Sequence, residues 1–75
     1  MLKELETVIL TTDLPEHGLS TGDIGAIVLV HPNNAYEVEF VTLEGDTVAI
    51  ITLTHDQVRP AAEGEIAHAR AVESS

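Results

Sequence analysis

The sequence predicts an all-β fold: a small five-stranded SH3-like barrel with a long first loop and a 3₁₀ turn before the last strand, with an open β-meander as the alternative. Three observations predict it. Short apolar or alternating runs recur along the 75 residues, each bounded by Gly, Pro, Asn or Asp. The first two runs, Val8-Ile9-Leu10 and Ala26-Ile27-Val28-Leu29-Val30, flank the turn-rich segment Asp13-Leu14-Pro15-Glu16-His17-Gly18-Leu19-Ser20-Thr21-Gly22-Asp23-Ile24-Gly25. A long loop of this kind, closed by a Gly-Asp-x-Gly pattern, is how small SH3-like barrels begin. Third, Tyr36-Glu37-Val38-Glu39-Phe40 alternates strictly between apolar and acidic residues, as a strand buried on one face requires.

The elements follow in order. Thr7 to Thr11 is dense in β-branched residues and reads as the first strand. Residues 12–22 carry Pro15, Gly18 and Gly22 and read as irregular, with Leu14 and Leu19 tucked against the barrel. Ile24 to His31 is the second strand, apolar on both faces, with Ile24, Ala26, Val28 and Val30 as its presumed core set. Pro32-Asn33-Asn34 is a turn, because proline presets one φ and asparagine tolerates the left-handed region. In the third strand Tyr36, Val38 and Phe40 face the core, and Glu37 and Glu39 face solvent.

Leu43-Glu44-Gly45-Asp46 is a hairpin turn with Gly45 available for positive φ. Thr47 to Leu53 is a fourth strand, again apolar on both faces. Thr54-His55-Asp56-Gln57 has the spacing of a capping box and leads through one tight turn into the last strand, Val58-Arg59-Pro60. Pro60 lacks an N–H and belongs at a strand end or edge. The domain is therefore expected over 1–60. Residues 61–75 form an alanine-rich tail, either flexible or a short helix with Ile66, Ala69 and Val72 on one face.

Composition bounds the chemistry. A chain this short buries only about 60% of its unfolded surface and is marginally stable without support. It has no cysteine, so neither a disulfide nor a thiolate-bound metal supplies that support. Thirteen acidic residues against three basic ones give a net charge of −10. Ten of those acids lie within residues 1–60, opposed by Lys3 and Arg59, which leaves −8 on the domain itself. Such a surface repels nucleic acid and anionic membranes and favours a basic partner. The N-terminus has no basic, apolar leader pattern, and the longest apolar run is far too short to cross a bilayer, so a cytoplasmic location is expected.

The motifs Thr12-Asp13-Leu14-Pro15-Glu16-His17-Gly18-Leu19, Gly22-Asp23-Ile24-Gly25, Tyr36-Glu37-Val38-Glu39-Phe40 and Asp56-Gln57-Val58-Arg59-Pro60, in that order, resemble a bacterial family of small stand-alone proteins catalogued only as a domain of unknown function. The resemblance covers about residues 5–60 and implies no activity. More distantly, Gly22-Asp23-Ile24-Gly25-Ala26-Ile27-Val28 resembles the KOW-type element of ribosomal and elongation-factor domains, and the barrel of the nitrile hydratase β subunit. Both are likenesses of fold and carry little functional weight.

Candidate sites weigh against catalysis. Nucleic-acid binding needs clustered Lys/Arg and exposed aromatics; the domain has two basic residues, and its aromatics Tyr36 and Phe40 belong to the core. His17, His31, His55 and His68 lack any spacing that presents two metal ligands together, so no metal or other cofactor is expected. Asp13, His17 and Ser20 are close in sequence, but a triad is recognised by geometry and an oxyanion hole. No enzymatic activity is expected.

What remains is a protein–protein interface. Ile27 and Leu29 in the second strand, with Val48 and Ile50 in the fourth, are expected to face outward as an apolar patch. Glu37, Glu39 and Asp56 supply its acidic rim. The expected partner is another protein, with a homodimer as one form it could take. The alternative is an acidic inhibitor, antitoxin or immunity-type protein that blocks a basic partner, since opposite charge speeds such association.

Overall fold

Each apolar run becomes a strand, and the turn residues between them set the strand order. The computed structural model describes residues 2–72. Five strands are present: β1 (Thr7–Leu10), β2 (Ile24–His31), β3 (Ala35–Val41), β4 (Thr47–Thr54) and β5 (Val58–Pro60). All neighbours are antiparallel, in the order β4-β3-β2-β1-β5. The all-β expectation is met by five strands, but the sheet is open. Its two outer strands, β4 and β5, do not pair with each other, so the ladder does not close into a barrel.

The turns form as their residues dictate. Asn34 sits at φ 58 between β2 and β3. Gly45 sits at φ 97 in the β3–β4 hairpin, where its N–H donates to the Thr42 carbonyl at 2.9 Å. The first loop contains the single 3₁₀ segment among the described residues, Pro15–His17. The turn before β5 instead holds one i→i+3 bond, from Gln57 N–H to the Thr54 carbonyl at 3.0 Å. Half of the expected capping box is present there, with the Gln57 side chain accepting the Thr54 N–H at 2.9 Å.

Burial on one face of the sheet makes the core. Val8 and Leu10 of β1, Ile27 of β2, Tyr36, Val38 and Phe40 of β3, Leu53 of β4 and Val58 of β5 are buried together. Leu19 of the first loop joins them, and Leu14 packs against the cluster, as expected for the two apolar points of that loop. The two leucines also exchange backbone hydrogen bonds at 2.9 and 3.1 Å, which pins the loop shut across the 3₁₀ turn.

Two irregularities decide which side chains reach the surface. Ile27 pairs with Val38, and Leu29 with Glu37, so Val28 is an extra residue on β2. A bulge of this kind breaks the two-residue alternation. Before it, Gly25 and Ile27 point into the core; after it, Val30 does, while Val28 and Leu29 are both exposed. The core set Ile24, Ala26, Val28 and Val30 is therefore corrected to Gly25, Ile27 and Val30. A second shift, with Phe40 opposite Ala49 and Val41 opposite Thr47, makes Val48 the extra residue on β4.

Candidate functional site

The outer face of β2, β3 and β4 carries most of the residues expected to bind a partner. Leu29, Glu37 and Thr52 lie in one row across the three strands, and Ala26, Glu39 and Ile50 in another. Leu29 is 41% exposed and Ile50 is 53% exposed, so both are available to a partner. Ile27 is not: its exposure is 0%, and the expectation that it faces outward is overturned by the phase of β2 ahead of the bulge. Val48 is also corrected, since the β4 irregularity leaves it half-buried against the core.

The arrangement of the face differs from an apolar patch with an acidic rim. Strand β3 runs between β2 and β4, so Glu37 and Glu39 separate Leu29 from Ile50 instead of surrounding them. Both glutamates are held in place. The Glu37 Oε2 lies 3.1 Å from His31 Nε2, and Glu39 Oε2 accepts from the Thr47 hydroxyl at 2.9 Å. Asp56 lies apart, in the β4–β5 turn. There its carboxylate accepts from the Thr54 hydroxyl, which holds its pKa below the ordinary value, and its carbonyl accepts from Thr11 Oγ1 at 3.0 Å.

Strand β4 contributes a second feature. It is eight residues long, pairs only with β3 among the described residues, and contains no charged residue and no proline. Long edge strands normally carry one of those devices, because an unpaired row of N–H and C=O groups invites another strand.

Sequence reasoning missed a third feature, the docking of the tail. Residues 61–72 form no helix and no strand, so the short helix does not form over them; the rest of the tail lies outside the described residues. Arg59 forks onto Glu65, whose carboxyl it draws down to about 2, and Glu65 also accepts the Ala62 N–H at 2.6 Å. Further along, Arg70 reaches back 47 residues to Asp23. Its Nε donates to Asp23 Oδ1 at 2.8 Å, one Nη donates to Oδ2, and the same Nη donates to the Gly18 carbonyl at 2.9 Å. The signal available in the sequence was slight: one of only three basic residues, set among alanines, and an aspartate in a turn motif.

Asp23 is prepared for this contact by its own loop. Ser20 N–H donates to its Oδ2 at 2.9 Å, and Asp23 N–H donates to the Ser20 carbonyl at 3.0 Å. Asp13 steadies the same loop, accepting from both the N–H and the hydroxyl of Thr21 at 2.8 and 3.0 Å. The Asp23 carboxyl is held below its ordinary 3.8, first by the Arg70 guanidinium; burial opposes the shift, and the Ser20 N–H adds to it. A carboxylate depressed in this way favours the docked state above its free pKa, and that contribution is lost as pH falls through the lowered value. The contribution of this pair to docking is therefore expected to be full at every pH above 3.8 and to be lost only in stronger acid. The Arg70 Nε–H resonance followed during acidification checks this, and a midpoint above 3.8 would contradict it.

Among the described residues no group of three or more His, Asp or Glu is placed to hold a metal ion, and no helix is long and apolar enough to cross a membrane. The fold and site thus define a small open antiparallel β domain with a mixed acidic and apolar face, a free edge and a tethered tail. The chain belongs to a family described as a domain of unknown function (DUF4926), whose model matches residues 4–60. No curated protein and no solved structure matches the chain. The family span ends at the last residue of β5; it includes Gly18 and Asp23 and leaves Arg70 outside.

Proposed function

We propose that the domain is a non-enzymatic module that binds another protein through the outer face of β2–β4 and the adjoining edge of β4. The observation that carries this reading is the uncharged, unpaired β4 edge beside the exposed Ile50. A partner strand added there would gain main-chain hydrogen bonds, and side chains on its outer face would lie beside Ile50, with Glu39 one strand further in along the same row. Charge favours a basic partner over a second copy, since two chains of −10 repel. Where that partner is a basic toxin or enzyme, covering its active surface would make the module an inhibitor, an antitoxin or an immunity-type protein. The glutamate stripe between Leu29 and Ile50 favours that second reading.

Ile50→Lys tests the surface. The substitution puts a charge on the edge strand and is expected to abolish partner capture from a native lysate while leaving the melting temperature within a few degrees. Leu43→Lys, at the exposed hairpin tip, serves as the control that retains capture. Capture by Ile50→Lys equal to that of the unsubstituted chain would sink the reading. Loss of capture at moderate salt marks the partner as basic. A dimer of the unsubstituted chain that Ile50→Lys dissolves, seen by light scattering, would make the partner a second copy.

A further inference from the structure

The notch formed by Asp23 and the Gly18 carbonyl holds the guanidinium group of Arg70. A carboxylate presenting both oxygens to one arginine fork, joined by a backbone carbonyl aimed at the same Nη, recognises arginine by shape as well as charge. Lysine, a point charge on a flexible stem, cannot reproduce that geometry. The acceptors are fixed by the loop itself. Ser20 holds the carboxylate, and Gly18 turns with φ 70 at the end of the 3₁₀ segment; with Arg70 docked, the Asp23 side chain is 17% exposed.

The donor, in contrast, is weakly attached. Among the described residues, Arg70 supplies the only hydrogen bonds between residues 66–72 and the rest of the domain. The tail runs beside a cleft walled by Leu19, Ile24, Phe40 and Val48, with alanines on both sides of the arginine. The notch lies inside the family span, and its occupant lies outside it.

We propose that this notch and cleft bind an extended, arginine-bearing segment of a partner protein, and that Arg70 fills the notch in cis as a tethered competitor. Exposed ion pairs are individually weak, so the tail opens readily and the notch becomes available. The net charge of the domain supplies the long-range attraction for a basic segment. A tethered competitor lowers the apparent affinity of an outside ligand in proportion to its effective concentration, which reaches millimolar values on short flexible linkers. This inference is independent of the outer face and the β4 edge.

The test uses the full-length chain and a fluorescent peptide with the sequence of residues 67–72, Ala-His-Ala-Arg-Ala-Val, followed by fluorescence anisotropy. The Arg70→Ala chain is expected to bind this peptide about tenfold tighter than the unsubstituted chain, because the cis competitor is gone. A peptide with Lys or Ala in place of its arginine is expected to lose that binding. Asp23→Asn in the Arg70→Ala background should abolish it as well. Because Asp23 also supports its loop, the substituted peptides provide the arm that leaves the fold untouched. Equal affinity of the Arg70→Ala and unsubstituted chains overturns the proposal. So does indifference to Lys in place of Arg, or no binding at millimolar peptide.

Discussion

Gly25→Val is expected to cost the domain about 3 kcal/mol or more, at the upper end of what overpacking a core does. Gly25 faces inward from β2, opposite Val8 of β1. A Cβ at that position would stand 2.6 Å from Val38 Cγ1, 2.9 Å from Phe40 Cε1 and 3.0 Å from the Glu39 carbonyl oxygen. The first two neighbours are core side chains, and the third is backbone within the sheet, so the crowding cannot be relieved at one point. Gly25→Ala should cost about 1–3 kcal/mol by the same mechanism. Urea denaturation checks both. The combination Gly25→Ala with Val38→Ala should be less destabilising than the two losses added, because the nearest obstruction is then removed. Strict additivity would show that Gly25 matters for some other reason. The cause is space and not backbone strain, since Gly25 is absent from the positive-φ glycines.

Ile27→Ala and Leu29→Ala, two residues apart in one strand, are expected to differ by several kcal/mol. Regular alternation would place the two side chains on one face and give them similar effects. The Val28 bulge separates them, leaving Ile27 wholly buried and Leu29 on the outer face. Truncating a buried isoleucine costs about 2–5 kcal/mol, a large share of the total stability of about 4–11 kcal/mol expected for a chain this size. Truncating Leu29 should stay near the surface norm of about 0.5 kcal/mol. Matching melting curves for the two variants would mean that β2 lacks the bulge. The pair therefore tests the one feature that redraws the proposed binding face.

The contrast between β3 and β2 explains what could be read from the sequence. In β3 the glutamates mark the solvent side at every second residue, so the inward set Tyr36, Val38 and Phe40 was legible in one dimension. Strand β2 offers no polar residue between Ile24 and Val30 to fix a phase. A continuous apolar run is compatible with either face, and the extra residue at Val28 has no Gly or Pro to announce it. The strand bounds were legible there, and the faces were not. The first loop failed differently: Pro15 at a first helical position and Gly18 just after its end are start and stop signals for a short turn. Read only as breakers, the same residues give an irregular loop and no short turn of helix. Arg70 was beyond reach because its partner is fixed by the tertiary path of the tail, which no local pattern encodes.

The pairing of Val8 with Pro60 has a kinetic consequence. The first strand of the domain acquires its second neighbour only from the last, so one of the closing contacts spans nearly the whole family segment. During synthesis β1, β2 and β3 can form a meander early, while the β5 side of Val8 and Leu10 stays uncovered until residue 60 has left the ribosome. Contacts of such sequence separation fold slowly and leave strand edges open meanwhile. For this domain the window of greatest vulnerability to misassembly thus lies between the emergence of β3 and that of β5, on the edge of β1 that Val58–Pro60 will occupy.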